Sequence, residues 1–315
     1  MARKRKGEAI SGVLLLDKPA GRSSNHALQT IRRLMQAAKA GHGGTLDPMA
    51  TGLLPLLFGE ATKFSADLLE ADKSYRAWVT LGVRTSTADA DGEVIERRAV
   101  VVSADDVRQV VAGFVGEMDQ VPPMVSAIKR DGQPLYVYAR KGIELEREPR
   151  RVRIARIEVC AVGADRFCMD VDCSKGTYIR TLAEDIGQRL GCGAHLSGLA
   201  RTRVGPWTLE QAIGIERLES MDLAARRAQL MAVDSLLAGL PKVMLGIGQA
   251  RLFAHGGALD LGGEAGLKRV YGPDGTLIGT ARMDADGMLH PRRLVAQGQD
   301  AQMADSMDLI GLGKT

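Results

Sequence analysis

At 315 residues, with 45% hydrophobic and 25% charged side chains, the chain has the make-up of an ordinary globular protein large enough for two domains. Its net charge of +4 and pI near 8.9 suit a polyanionic partner without demanding one. No apolar run approaches a membrane span, the basic start over 1–6 leads into too short an apolar run for a signal peptide, and Cys160, Cys168, Cys173 and Cys192 show no disulfide or metal spacing, so they are expected as reduced, mostly buried thiols of a soluble cytoplasmic protein.

Residues 1–9 read as a basic disordered arm. Ile10 to Leu16 reads as a buried strand, and Ser23-Ser24-Asn25 as capping residues before a helix carrying Leu28, Ile31, Leu34 and Met35. Leu53 to Phe58 is apolar, but Pro55 predicts at most a short element there. Ser74 to Gly82 alternates as a strand, and Ser103 caps a helix presenting Val107, Val110, Val111 and Phe114. Between Val121 and Pro149 the pattern predicts a strand, a turn at Asp131-Gly132 and a short helix near Tyr136 to Lys141. Val152 to Val162 and Arg166 to Cys173 read as paired strands. Leu182, Ile186 and Leu190 then mark one helix face that Gly191 ends. Past Leu240-Pro241-Lys242 the chain turns glycine-rich, with short strands at 266–271, 276–283 and 290–295 and turns at Asp274-Gly275 and Asp286-Gly287. Without strict βαβ alternation, the expectation is an α+β fold, a mixed and mostly antiparallel sheet with flanking helices, followed by a small β-barrel-like module. The expected division is an arm over 1–9, a main domain over 10–238, the module over 241–297 and a tail over 298–315.

The segment Gly41-His42-Gly43-Gly44-Thr45-Leu46-Asp47-Pro48 stands out, because it fits neither helix nor regular strand. Pro48 fixes its own φ and keeps Asp47 out of the helical region, so the loop holds Asp47 in a set direction. Local sequence alone leaves two readings open, a reactive carboxylate or an aspartate that merely stabilises a turn. Asp17, in a similar Asp-x-Pro setting without the glycines, reads as structural.

This loop, followed by Ala50-Thr51-Gly52-Leu53-Leu54, resembles the catalytic motif of the TruB family, tRNA pseudouridine synthases that act on uridine-55 of the TΨC arm. Gly12 to Pro19, Lys73-Ser74-Tyr75, Pro122 to Lys129, Cys173 to Arg180 and His290 to Leu294 follow in the family's order, so the resemblance runs from about Gly12 to Val295. It implies the pseudouridine synthase fold over 10–238 and a PUA-like RNA-binding domain over 241–297. The implied reaction breaks the N1–C1′ bond of uridine, turns the base and rejoins it through C5, with no cofactor and no metal.

On this resemblance Asp47 is the nucleophile, a role that needs an ionised carboxylate with a cation beside it. Arg180 is its partner, Tyr75 stacks on the everted base and assists the C5 proton, and Tyr178 and Leu199 line the pocket. His42 fills the space that the nucleotide vacates, and Lys63 pairs with phosphate or a site carboxylate. Taken singly, each has a plainer reading: a surface arginine, tyrosines half in the core, a core leucine. The arginines over 147–156 with Arg201, Arg203, Arg292 and Arg293 are candidates for phosphate contacts. The expected partner is the tRNA T-arm stem-loop, bound by a monomer with no obligate protein partner and no membrane. Two other classes stand against this reading. One is an RNA-binding protein whose loop only clasps a hairpin; the other is a glycosidase or phosphotransferase, which lacks here the second carboxylate and the Lys-Ser/Thr ending expected of each. Within the family, an RNA-guided synthase is the variant to weigh.

Overall fold

The computed structural model describes residues 7–296. Seven long strands carry the main sheet: β1 (Gly12–Lys18), β2 (Thr51–Phe58), β3 (Lys73–Leu81), β4 (Gly116–Gln120), β5 (Arg150–Val162), β6 (Arg166–Cys173) and β7 (Ala194–Val204). Their order across the sheet is β1-β2-β7-β3-β6-β5-β4, with Ile213–Gly214 added outside β1. Every neighbouring pair among the seven is antiparallel except β2 and β7, which touch in parallel over Thr51–Ala200 and Gly52–Arg201. The α+β expectation with a mostly antiparallel sheet therefore holds.

Three helices cover one face: α1 (Ser24–Leu34), α2 (Ala104–Ala112) and α3 (Ile179–Arg189). Each begins and ends for a local reason. The Ser23 hydroxyl caps α1 through the His26 N–H, Ser103 and Asp106 form a reciprocal capping box on α2, and Gly191 with φ 79° follows α3. Leu28 and Ile31, Val107 and Val111, and Leu182 and Ile186 meet Leu16, Leu56, Val79, Met169 and Leu196 of the sheet in one continuous core.

β2 corrects an expectation. The run Leu53 to Phe58 is a full buried strand, because a second apolar layer with Val13, Leu15, Leu68 and Trp207 covers its other face. A strand buried on both sides reads as an unbroken apolar run. Pro55 is tolerated because its carbonyl accepts from the Gly43 N–H just where the short strand Ala40–His42 ends, so its missing donor faces no further ladder.

Beyond β7 the opposite face is uncovered and carries charges. Arg76 pairs with Asp170, and Arg156 with Asp172 and Glu158. The cysteine expectation also needs correction: Cys173 and Cys192 are buried, but Cys160 is exposed and lies 2.7 Å from the Sγ of half-buried Cys168 on the adjacent strand. Of the arm expected over 1–9, residues 1–6 lie outside the described residues, and Glu8 is tied down by backbone bonds to Gln36 and Ala38 and an ion pair with Arg227. The expected tail over 298–315 also lies outside the described residues.

The C-terminal part folds as a second sheet, built on β8 (Gly266–Tyr271), β9 (Leu277–Met283) and β10 (Met288–Leu294), with Lys242–Met244 and Leu259–Asp260 at its edges. It has its own core of Leu245, Phe253, Val270, Ile278, Ala281 and Leu289. Lys63 joins it to the main body, donating to the Leu294 carbonyl, while Glu60 accepts from the Ala296 N–H.

The parallel contact of β2 with β7 depends on Gly52. Its φ is 96°, and a Cβ there would sit 2.4 Å from the Arg201 carbonyl oxygen. Gly52→Ala therefore combines a left-handed backbone with a clash against main chain that cannot yield. It is expected to cost about 2 kcal/mol or more of unfolding free energy, read from the urea midpoint. An unchanged midpoint would show that the two strands can separate freely.

Candidate active site

The loop after Ala40–His42 is fastened before it reaches Asp47. The buried Ser24 hydroxyl at the head of α1 both donates to the Leu46 carbonyl (3.0 Å) and accepts from the Leu46 N–H (2.8 Å). Fully buried Lys18 donates to the carbonyls of Pro19, Arg22 and Pro48. Burial and the nearby Arg201 charge push the Lys18 amine down to about 8, with Asp47 opposing them. Asp47 thus leaves a loop clamped from both sides, and its half-buried carboxyl opens on a cleft of about 280 Å³.

Arg180 stands in the first turn of α3, where the helix dipole disfavours a cation, and its side chain is only 3% exposed. The surroundings compensate. Its Nε meets Asp47 Oδ2 at 2.9 Å and its Nη2 meets Asp47 Oδ1 at 3.4 Å. Nη1 reaches Asp89 Oδ2 at 3.3 Å and the Thr87 carbonyl, and Nη2 also donates to the Val125 carbonyl at 2.7 Å. All three guanidinium nitrogens meet a carboxylate or carbonyl oxygen, so the fork is held rigid. Asp89 is itself fixed by the Thr87 hydroxyl and the Asp91 N–H, beside Ala88 at a strained φ of 59°.

Burial lifts the Asp47 carboxyl above its ordinary value; Arg180 pulls it down, and Asp89 and Asp91 add to the lift. The cation expected beside Asp47 is present and favours the charged form, but desolvation outweighs it. Burial likewise raises Tyr75, against the pull of Arg201, and raises Tyr178, so both phenols stay protonated at neutral pH. His42 is lowered, first by burial and then by Arg201, and stays neutral.

The cleft brings together Asp47, Tyr75, Tyr178, Arg180 and Leu199 with Lys73, Ser126, Thr177 and Arg201. Sheet register explains much of this. Tyr75 on β3 stands opposite Arg201 on β7, and Leu199, two residues earlier, points to the same face. His42 lies at the end of its short strand and does not line the cleft. Lys63 is elsewhere: the 3₁₀ turn Gly59–Phe64 carries it to Glu60 and the Leu294 carbonyl, so the structure does not support its expected place at the site. Asp89 escaped the sequence reading, its only local signal being an Asp-x-Asp-Gly turn. Of the arginines considered for phosphate, Arg151, Arg156 and Arg203 are engaged by carboxylates and Arg147 by Glu144. Arg201 is buried, and Arg293 donates to the Lys63 carbonyl. Arg150 and Arg153 are exposed on β5 and their side chains make no ion pair among the described residues.

The site is thus a carboxylate locked to a buried arginine over a tyrosine-lined cleft on a mixed sheet. Residues 32–179 match the TruB family pseudouridylate synthase N-terminal domain, 180–240 the tRNA pseudouridylate synthase B C-terminal domain, and 241–295 the pseudouridine synthase II TruB C-terminal domain. The chain is 53% identical over 296 residues to the tRNA pseudouridine synthase B of Aromatoleum aromaticum, spanning 94% of this chain and 96% of that one. It is 55% identical to that of Ralstonia nicotianae, over 91% and 94% of the two chains. Among solved structures it is similar to a chain of a Cbf5-Nop10-Gar1 complex, with a TM-score of 0.68, 27% identity, and 90% of this chain and 84% of that chain covered. The chain belongs to the TruB family of pseudouridylate synthases, and is an isomerase.

Because Asp47 sits above the ordinary carboxylate value, protonation on acidification removes its negative charge earlier than for a solvated aspartate. Asp89→Asn takes away one like charge and one anchor of Arg180. Its single-turnover rate should fall at least about tenfold, with the acid limb displaced to lower pH. An acid limb displaced upward, or an unchanged rate, would contradict this account of the cluster.

Proposed function

We propose that the chain converts uridine-55 in the T-loop of tRNA to pseudouridine, with Asp47 as nucleophile on an extruded base and without a cofactor. The observation that carries the proposal is the bidentate Asp47–Arg180 pair at the mouth of a cleft walled by Tyr75, Tyr178 and Leu199. A carboxylate so held needs no reorganisation before it attacks. The volume, near the lower end for small-ligand pockets, suits one nucleoside and not a paired stem, so the base must leave its stack. Tyr75 offers an aromatic face and a protonated phenol to the uracil, and Tyr178 and Leu199 keep the detached base in place. Neutral His42, before the loop, suits a stacking role in the vacated position better than acid–base work.

The names of the bacterial relatives support tRNA as substrate. Residues 10–238 are the catalytic domain in this reading and 241–297 a PUA-like RNA-binding domain, acting as a monomer in the cytoplasm. Arg150 and Arg153 suit the role of phosphate ligands. They are exposed and unpaired, Arg150 lies near enough to Tyr178 for its charge to be felt there, and the Arg153 N–H is bonded by Ser174, a cleft residue.

Release of tritium from C5-labelled uridine in a tRNA transcript tests the reaction. Asp47→Asn and Asp47→Ala should abolish release while holding tRNA affinity within about tenfold of the native value, because the nucleophile acts on the transition state. Residual turnover in either variant refutes the assignment; binding without release in the native protein points to the hairpin-clasping alternative. Arg150→Ala and Arg153→Ala should each weaken tRNA binding and flatten its dependence on log salt by roughly one ion, leaving the bound rate intact. A salt slope equal to the native one would place the phosphates elsewhere.

A further inference from the structure

Arg201 is the least expected side chain in the cleft. It is 1% exposed, among the most deeply buried residues of the protein. Unlike Arg180, it has no carboxylate partner among the described residues. Its Nε donates to the Leu53 carbonyl at 2.8 Å, its Nη1 reaches the Thr45 carbonyl at 3.5 Å, and its guanidinium also interacts with the Tyr75 hydroxyl, while its buried Nη2 has no well-aligned acceptor. Burying a permanent cation against neutral oxygens alone, with no carboxylate to match its charge, is costly. The register seats it directly beside Tyr75, and it lines the same cleft as Asp47 and Leu199. Its charge is not idle, since it weighs against protonation of Lys18, His42 and Lys73 around it. A buried positive charge that lines a reaction cleft without a carboxylate partner is matched to an anion that exists only during the reaction.

Such an anion arises on the base. If Asp47 attacks C1′, the new C1′–Oδ bond forms as the C1′–N1 bond breaks, and the electron pair stays on the uracil, spread over N1, O2 and O4. If Asp47 adds to C6, the C6–Oδ bond forms and the C5–C6 π pair moves onto the C4 carbonyl oxygen. Either way the ring turns negative while it is cut off from water. On the first route C5 then bonds to C1′ as the C1′–Oδ bond breaks and frees the carboxylate; on the second the N1–C1′ bond breaks with its pair on N1, C5 bonds to C1′, and the C6–Oδ bond breaks as the C5 proton leaves. On both routes C5 gives up its proton and N1 takes one up.

The geometry points to Arg201 as a catalytic residue that stabilises this uracil-centred negative charge, rather than a structural arginine or a phosphate ligand. The inference rests on the pseudouridine reading above and adds the group that receives the leaving charge. Asp47 and its clamp supply the attacking oxygen; Arg201, on another strand, supplies the counter-charge for what the attack displaces.

Two substitutions with two substrates test it. Arg201→Gln keeps a donor for Leu53 but loses the charge, and Arg201→Lys keeps the charge but loses the fork. Arg201→Gln should slow single-turnover isomerisation about a hundredfold, and Arg201→Lys less, with tRNA affinity within about threefold for both. In tRNA carrying 5-fluorouridine the base is a better-stabilised anion in its own right. There the Arg201→Gln deficit should shrink at least about tenfold, read as loss of unmodified 5-fluorouridine by nuclease digestion and mass spectrometry. Equal deficits on the two bases, a glutamine variant no slower than the lysine variant, or a loss confined to affinity each overturns the assignment; the last is the signature of a phosphate contact. Should both variants fail to fold, the native enzyme decides: 5-nitrouracil, an anion at neutral pH, must inhibit at concentrations at least about tenfold below those of uracil. Equal potency, including none from either, overturns the inference. A native enzyme that releases no C5 tritium would instead sink the reaction itself, so the two failures are distinguishable.

Discussion

The site is organised by the Arg180 guanidinium, sealed from solvent in the first turn of α3 and met by carboxylate or carbonyl oxygens at each of its nitrogens. Burying an arginine is costly unless its charge and donors are matched, and matching Arg180 recruits three separate segments: Asp47 from the glycine loop, Thr87 and Asp89 from the turn that follows residue 85, and Val125 from the proline-rich stretch. The cation therefore acts as a template. Each of these segments is irregular by itself, and its position is fixed by the demand of one side chain. The pair of acidic groups around Arg180 also explains why Asp47 is not pulled into the strongly ionised range, since Asp89 and desolvation oppose the arginine.

Two lysines support the same region without entering its chemistry. Lys18 pins the underside of the Asp47 loop through three backbone carbonyls, and Lys73 does so for the turn at Leu68 to Ala71. Both amines are pushed down to about 8, first by burial, yet remain the donors that irregular backbone requires. The cleft thus has a paired cation on one wall, an unpaired one on the other, and a fastened carboxylate between them. Such asymmetry is tolerated because the surrounding sheet over-determines it: β2 and β7 are held together by Gly52, and α1 is tied to the loop by Ser24.

Much of the scaffold was legible in the sequence because local and global signals agree. The alternation in Lys73–Leu81 and Arg166–Cys173 reflects a sheet with one covered face, and Ser23, Ser103 and Gly191 mark helix ends by chemistry that acts within a few residues. The turn at Asp131-Gly132 is equally local, with both residues at positive φ. What was not legible depends on who lies across the sheet. Leu53 to Phe58 needed a second apolar layer to become a strand, and nothing near Pro55 announces it. Asp89 pairs with an arginine far along the chain, and Lys63 is captured by a carbonyl 231 residues away. The exposure of Cys160 follows from the bare face of β5, which the periodicity of a single strand does not reveal. Arg201 could be named as a cation from sequence, but its solitude inside the cleft is a property of the fold alone.

The wall that bears Leu199 and Arg201 belongs to β7, while the Asp47 loop precedes β2, with which β7 makes only a two-residue parallel contact. Sequence separations of 133 and 148 residues span the bonds that join these parts. No N-terminal fragment short of residue 201 possesses both sides of the cleft, so on the proposed reading a chain emerging from the ribosome stays chemically silent through nearly two thirds of its synthesis. Competence arrives in one late step, when the last strand of the set slides between two already present, and closure of such distant loops is slow compared with hairpin formation.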